Sequence, residues 1–264
     1  MHRISAQTIA VALAMTGLSV LGVLAALLAL GPNWVAYAPA TCTATRCFCE
    51  LPRIGALALQ PANTWSSFSY VLIGFLMVIL PGEPNWNSAM PPLAARTLGL
   101  TAIVVGLGSA LMHATLTLWG QFLDVVGMYL VGSFLLVRAL GRWRRIPDAQ
   151  VTLLYIALCG VLVTVLIMLP EVRRWLFGAL LILAILVELI FARPLRPGAR
   201  LTYYLGSILA TAVAFGIWIL DQQGVVCAPR SLLQGHAVWH ALGAASLWLS
   251  FSYYRSERPV GSTS

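Results

Sequence analysis

Lysine is absent from this chain, and charge of either sign is scarce: 9% of its 264 residues are charged, against roughly 25% in soluble domains. That scarcity excludes a water-exposed globule. A 60% apolar composition with mean hydropathy +0.88 excludes a disordered chain, because such a chain cannot be this apolar. Internal repeats, low-complexity tracts and long polar linkers are also missing, which argues against a repeat architecture or a separate soluble module. What remains is an integral membrane protein. The formal charge of +8 comes from sixteen arginines against eight acids. In a soluble protein this balance would point to nucleic acid; here the arginines are topology markers, and no nucleic-acid partner is expected.

Eight apolar stretches, at 8–30, 63–81, 97–118, 121–140, 150–169, 175–192, 201–220 and 232–254, can each cross a ~30 Å hydrocarbon core as a helix. The expected fold is therefore an all-α polytopic bundle. It has an extra N-terminal span in residues 1–38 and a seven-span domain in residues 39–264. With a cytoplasmic N-terminus, Arg46, Arg53, Arg173, Arg174 and Arg230 fall outside and the other eleven arginines inside. This follows the positive-inside rule.

Cysteine supports the same orientation. Cys42, Cys47, Cys49 and Cys227 all fall on the outer side, where up to two disulfides can form, and Cys159 lies within a span. The Ala36-Tyr37-Ala38 sequence looks like a small-residue cleavage site, but an apolar run of about 23 residues is long for a signal peptide, and a retained helix is favoured. The turn-rich loop 82–95 carries no evident chemistry. Arg142 to Arg145 read as a helix-end anchor or a contact with anionic lipid heads. Glu188 and Arg138, near inner helix ends, are expected to snorkel.

Three of the four histidines lie inside spans, where an ionisable group is a functional-site hypothesis by default. His236 and His240 are four residues apart, which puts both imidazoles on one helix face and suits a shared metal, although such a pair can also serve helix packing. The helix directions bring His113 to the same outer depth, together with Asp124 and, one turn below His113, Ser109. Three histidines with a fourth position left to water are the ligand set of catalytic zinc. A metal of that kind lowers the pKa of water to about 7. Asp124 is then a base or water-orienting group, and Ser109 a donor to a developing oxyanion. Their duller alternatives are a helix cap or histidine partner for Asp124, and close helix contact for Ser109.

Cys49-Glu50, Asn63-Thr64-Trp65-Ser66-Ser67, Gly108-Ser109 with His113 and Asp124, and His236 with His240 together resemble the alkaline ceramidase family. The resemblance spans about residues 47 to 254. It implies a seven-span zinc amidase that cleaves the N-acyl bond of ceramide. By that likeness His113, His236 and His240 hold zinc, Asp124 activates water and Ser109 supports the oxyanion. It also implies a Cys49–Cys227 disulfide, which leaves Cys42 and Cys47 as the remaining outer pair. Trp218 and Asp221 match a W-x-x-D pattern, with a longer stretch from Asp221 to Cys227 than in eukaryotic members. Cys47 and Gln60 stand where the family's calcium site has acids, leaving Glu50, so calcium is not expected to be required. Ser67 replaces an expected Asn.

The competing readings are a lipid ester hydrolase of the same superfamily, since amide and ester carbonyls need the same water, and a non-catalytic receptor with structural zinc. A fourth protein ligand would favour the receptor. The expected partners are the membrane and a ceramide-like lipid drawn from it, in a plasma or bacterial inner membrane, with the site toward the outer side. The sequence carries no indication of oligomeric state.

Overall fold

The computed structural model describes residues 4–45, 47–196, 198–225 and 227–258. Arg3 and Arg46, two of the topology markers, lie outside the described residues. The described chain is helical, with α1 Ala6–Leu30, α2 Pro61–Ser66, α3 Phe68–Ile79, α4 Pro92–Thr115, α5 Leu118–Arg144, α6 Asp148–Met168, α7 Arg173–Leu186, α8 Leu201–Gln223 and α9 Gly235–Ser256. Seven segments are long and apolar enough to cross a membrane, with α2 and α3 forming one of them. The eighth expected span, α9, has the length but is less apolar. It carries His236 and His240, and its Ser246 and Ser250 exchange hydrogen bonds with Ser207 and Thr211 of α8. Placed between helices, these hydroxyls avoid lipid.

Local chemistry sets the helix ends. Ser5 accepts from the Thr8 amide to open α1, Pro61 and Pro92 stand in the first turns of α2 and α4, and Thr117 accepts from Gly120 to open α5. Proline tolerates a first turn because the amide it lacks has no intrahelical partner there. Leu116, at φ 49°, ends α4 in the left-handed region, so two residues suffice to turn α4 into α5. The span from Pro61 is interrupted at Ser67, between α2 and α3, and the helix after α7 widens into a π-turn at Val187–Ala192.

The core is α4, packed between α3 and α5; α8 pairs with α9, and α9 closes back on α2 and α3. The helices α1 and α6 are peripheral, on α3 and α5 respectively. α7 packs on α5 but packs little along α8, its neighbour in the chain. At Gly108 the α4 and α5 backbones nearly touch: a Cβ there would lie 2.7 Å from the Leu123 carbonyl oxygen. Only glycine permits that approach, and it brings Ser109 to Asp124.

At the opposite end of the bundle from the histidines, Glu188 corrects the expectation of a snorkelling side chain, and Arg142 turns to it rather than to lipid heads. Glu188 is fully buried. It accepts from Arg142 Nε at 3.2 Å and from the Tyr253 hydroxyl at 2.7 Å. Arg142 also pairs with Glu257, which in turn takes Arg196 at 3.3 Å. These groups reach one another across α5, the π-turn and the end of α9, so neither Glu188 nor Arg142 needs to reach water. Arg138, largely buried too, pairs with the exposed Asp148 at 3.3 Å, in line with a side chain that reaches outward.

Removing one partner of a buried pair costs about 3–5 kcal/mol, because it strands the other charge. Arg142→Met is expected to lower stability by that amount, and adding Glu188→Met to restore most of it. Unfolding of both variants in detergent checks this, and an Arg142→Met protein as stable as the parent would contradict it.

Candidate metal centre

The three intramembrane histidines meet. His113 from the last turns of α4 and His236 and His240 from the first turns of α9 are all buried, with one potential ligand atom each and those atoms all within 4.8 Å of one another. Their ring centroids are 4.6 to 5.1 Å apart. This is the convergence expected from helix direction and depth.

Neighbouring side chains decide how two of the rings face. Gln60 Nε2 donates to the Glu50 carbonyl at 2.7 Å, which turns Gln60 Oε1 to Nδ1 of His113 at 2.9 Å. Nδ1 of His113 therefore carries the proton, and Nε2 keeps its lone pair. The hydroxyls of Ser66 and Ser67 both donate to the Asn63 carbonyl, at 3.0 and 2.9 Å. With its proton so committed, Ser66 Oγ meets Nδ1 of His240 at 2.8 Å as an acceptor. His240 too is held with Nδ1 protonated and Nε2 as the electron-pair donor. In metal sites the second imidazole nitrogen is ordinarily fixed by such a hydrogen bond.

His236 is placed differently. Its backbone amide donates to Asp221 Oδ1 at 3.2 Å, and its ring stacks on Phe48 with centroids 3.9 Å apart. Its Nδ1 is buried with no hydrogen-bond partner among the described residues. Two inward lone pairs and an orphaned buried imidazole nitrogen fit a metal ion, which would satisfy all three rings at once.

The scaffold around the cluster is tied covalently. Cys42 pairs with Cys47 and Cys49 with Cys227, with Cα separations of 4.7 and 5.5 Å. Asp221 Oδ2 accepts from the Cys49 amide at 3.0 Å, so one carboxylate holds both the disulfide-bearing loop and the start of α9. Glu50 accepts from the Ala62 and Asn63 amides at 2.8 and 2.9 Å. Burial pushes the Glu50 carboxyl above its ordinary range, and the Asn63 and Ala62 amides pull it back. The carboxylates of Glu50 and Asp221 are thus engaged by backbone amides.

Ser109 Oγ lies 3.2 Å from Nε2 of His240 and within hydrogen-bonding reach of the half-buried Asp124. Thr117 caps α5, so Asp124, in the second turn, does not serve that purpose. All five residues singled out in the sequence therefore share one location. The orienting parts played by Gln60, Ser66 and Phe48 were not foreseen. The sequence marks Gln60 only as a replaced acid and Ser66 only as part of a motif. Their partners lie far away in the chain, and the one available signal was that a buried imidazole needs a hydrogen-bond partner for its second nitrogen.

Fold and site together define a polytopic helical membrane protein with a buried three-histidine cluster able to hold a metal ion. A ceramidase family profile matches residues 43–258, most of the 264-residue chain. The chain belongs to the ceramidase family, and this supports ceramide hydrolysis, an amide cleavage, in general terms. No curated protein matches it in a sequence search.

Gln60→Leu removes the partner of His113 Nδ1 without touching a candidate ligand. The loss of such a partner typically costs 10–100-fold in metal affinity, and a drop of roughly that size is expected for divalent transition-metal ions. Competition against a chelating dye measures it, and unchanged affinity would contradict the orienting role of Gln60.

Proposed function

We propose that this protein is an intramembrane zinc-dependent amidase that hydrolyses the N-acyl bond of ceramide or a closely related lipid amide. The observation that carries this reading is the three-imidazole cluster, with Nε2 of His113 and of His240 left as electron-pair donors by their hydrogen-bond partners. His113, His236 and His240 would hold the zinc. Among the described residues the cluster has three ligand-type side chains and no fourth, which supports an open, catalytic arrangement over a closed structural one.

Zinc held there supplies Lewis acidity and lowers the pKa of water to about 7. The remaining work falls to the chain. The Asp124 carboxylate takes a proton from water as the water oxygen attacks the amide carbonyl carbon. The Ser109 hydroxyl donates to the carbonyl oxygen as negative charge develops on it. Asp124 then returns the proton to nitrogen as the C–N bond breaks, giving an amine and a fatty acid. The proximity of Ser109 to both His240 and Asp124 supports this division of roles. α7 and α8 touch at Arg174 over Trp218 but pack little along each other, which leaves a lipid room to approach from the bilayer side. The Phe215, Trp218 and Trp239 cluster on α8 and α9 offers apolar surface beside His240.

The purified protein is expected to release fatty acid from ceramide and to lose that activity when a chelator strips its zinc. Intact activity in fully zinc-free protein would overturn the reading, and turnover of an acyl ester with the amide untouched would replace the amidase with an esterase. Asp124→Asn is expected to retain zinc and lose 10²–10⁴-fold in turnover, roughly the range of general-base contributions. Ser109→Ala is expected to retain zinc and lose about 10²–10³-fold, as for one oxyanion donor. Zinc content and hydrolysis measured on the same preparations test both, and near-normal turnover of Asp124→Asn would show that the base is another group.

A further inference from the structure

The end of the bundle opposite the histidines has a second concentration of polar groups that amide hydrolysis does not use. Arg200, Arg255 and Arg258 line a cleft of about 210 Å³ together with Asn85, Asn87 and Ser256. Three segments meet there: the connection from α3 to α4, the residue before α8, and the last turn of α9 with the residues after it. The Arg200 amide donates to the Ser256 hydroxyl at 2.8 Å, which fixes the start of α8 against the end of α9. His240 and Arg255 are both on α9, and at 1.5 Å per residue they are about 22 Å apart. The cleft is thus a separate place from the metal centre.

Only part of the charge in this cleft faces a neighbouring acid: Glu83 attracts the Arg255 guanidinium, whereas among the described residues Arg200 and Arg258 have no acid paired with them. Glu257 is engaged by Arg142 and Arg196, and Glu83 takes the hydroxyls of Ser5 and Thr8. Among the described residues the three guanidinium groups make one hydrogen bond, from Arg258 Nη1 to the Asn87 carbonyl at 3.3 Å, and Nη1 of Arg255 is buried with no partner. The Arg255 guanidinium lies over Trp86, 5.3 Å from the ring centroid, and Trp86 packs against Phe251. Tryptophan beside arginine at helix ends marks the depth of lipid head groups. Arg200 and Arg258 are exposed at the mouth and Arg255 is half-buried, and the three line one concavity with amide and hydroxyl side chains between them. The guanidinium fork matches the oxygens of phosphate in paired hydrogen bonds.

We propose that this cleft binds a phosphate group, carried by an anionic phospholipid head group or present as the free ion. The shape, the excess of positive charge and the interfacial depth act together, and the site is independent of the hydrolytic reading above.

The test uses the full chain in phosphatidylcholine nanodiscs, in the same discs with part of the lipid replaced by phosphatidylglycerol, and in the first discs with inorganic phosphate added. Phenylglyoxal modification of Arg200 and Arg258, followed by peptide mass spectrometry with Arg53 as the internal reference, reads occupancy. Selective slowing by phosphatidylglycerol identifies a lipid head group, and equal slowing by inorganic phosphate identifies the free ion. Equal modification in all three conditions overturns the proposal. In the lipid case, Arg200→Gln with Arg258→Gln should reduce co-purifying phosphatidylglycerol by about 30-fold, from two arginine contributions at an anionic surface. Undiminished retention by that variant would exclude the cleft as the lipid site.

Discussion

An imidazole buried among membrane helices has two nitrogens to satisfy and no water to satisfy them, since unpaired polar groups in such surroundings cost several kcal/mol. Three such rings in one place multiply the requirement. The structure meets it for two rings by spending protein hydrogen bonds on the outer nitrogen of each, through Gln60 for His113 and Ser66 for His240. This fixes the ring tautomers and directs the remaining lone pairs at a common point. Much of the histidine end of the bundle is arranged to keep those partners in register. Glu50 holds the first turn of α2, where Asn63 in turn positions Ser66 and Ser67. Asp221 joins the Cys49 loop to the first turn of α9, and the Cys49–Cys227 disulfide closes the same region covalently.

α9 connects two polar ends of very different character. Its first turns hold His236 and His240, and its last turn contributes Tyr253 to the ion-pair network of Arg142, Glu188 and Glu257. That network joins α5, the π-turn after α7 and the residue following α9, while α7 and α8 meet at Arg174 over Trp218 and pack little elsewhere. A buried ion pair is weak evidence of net stability, since hydrophobic replacements often do as well. Its value here is geometric: it ties the π-turn after α7 to α5 and to the end of α9.

Much of this was legible in the residues. Apolar runs fix where helices cross a bilayer, and the regular rise of a helix converts sequence position into depth, so the meeting of His113 with His236 and His240 followed from their distance to span ends. Asp124 and Ser109 were placed by the same logic. What escaped were contacts between residues far apart in the chain. The distance of Glu188 from its helix end suggests snorkelling, and nothing local to it marks Arg142, 46 residues away, as its partner. Gln60 and His113 are 53 residues apart, and nothing local to Gln60 marks it as an imidazole acceptor. α9 departs from the apolar pattern of the other spans because its polar residues are used against α8 and at the site. The pairing of Cys49 with Cys227 came from family resemblance, as cysteine spacing alone leaves it open.

The central claim is that three imidazoles, two of them turned by neutral hydrogen-bond partners, form an open zinc site. X-ray absorption at the zinc edge of the purified protein tests it most directly. The account predicts one zinc per chain with three nitrogen neighbours at about 2.0–2.1 Å and an oxygen neighbour completing a four-coordinate shell. A sulfur neighbour, a fourth protein nitrogen, or protein that takes up no zinc when zinc is supplied would contradict it.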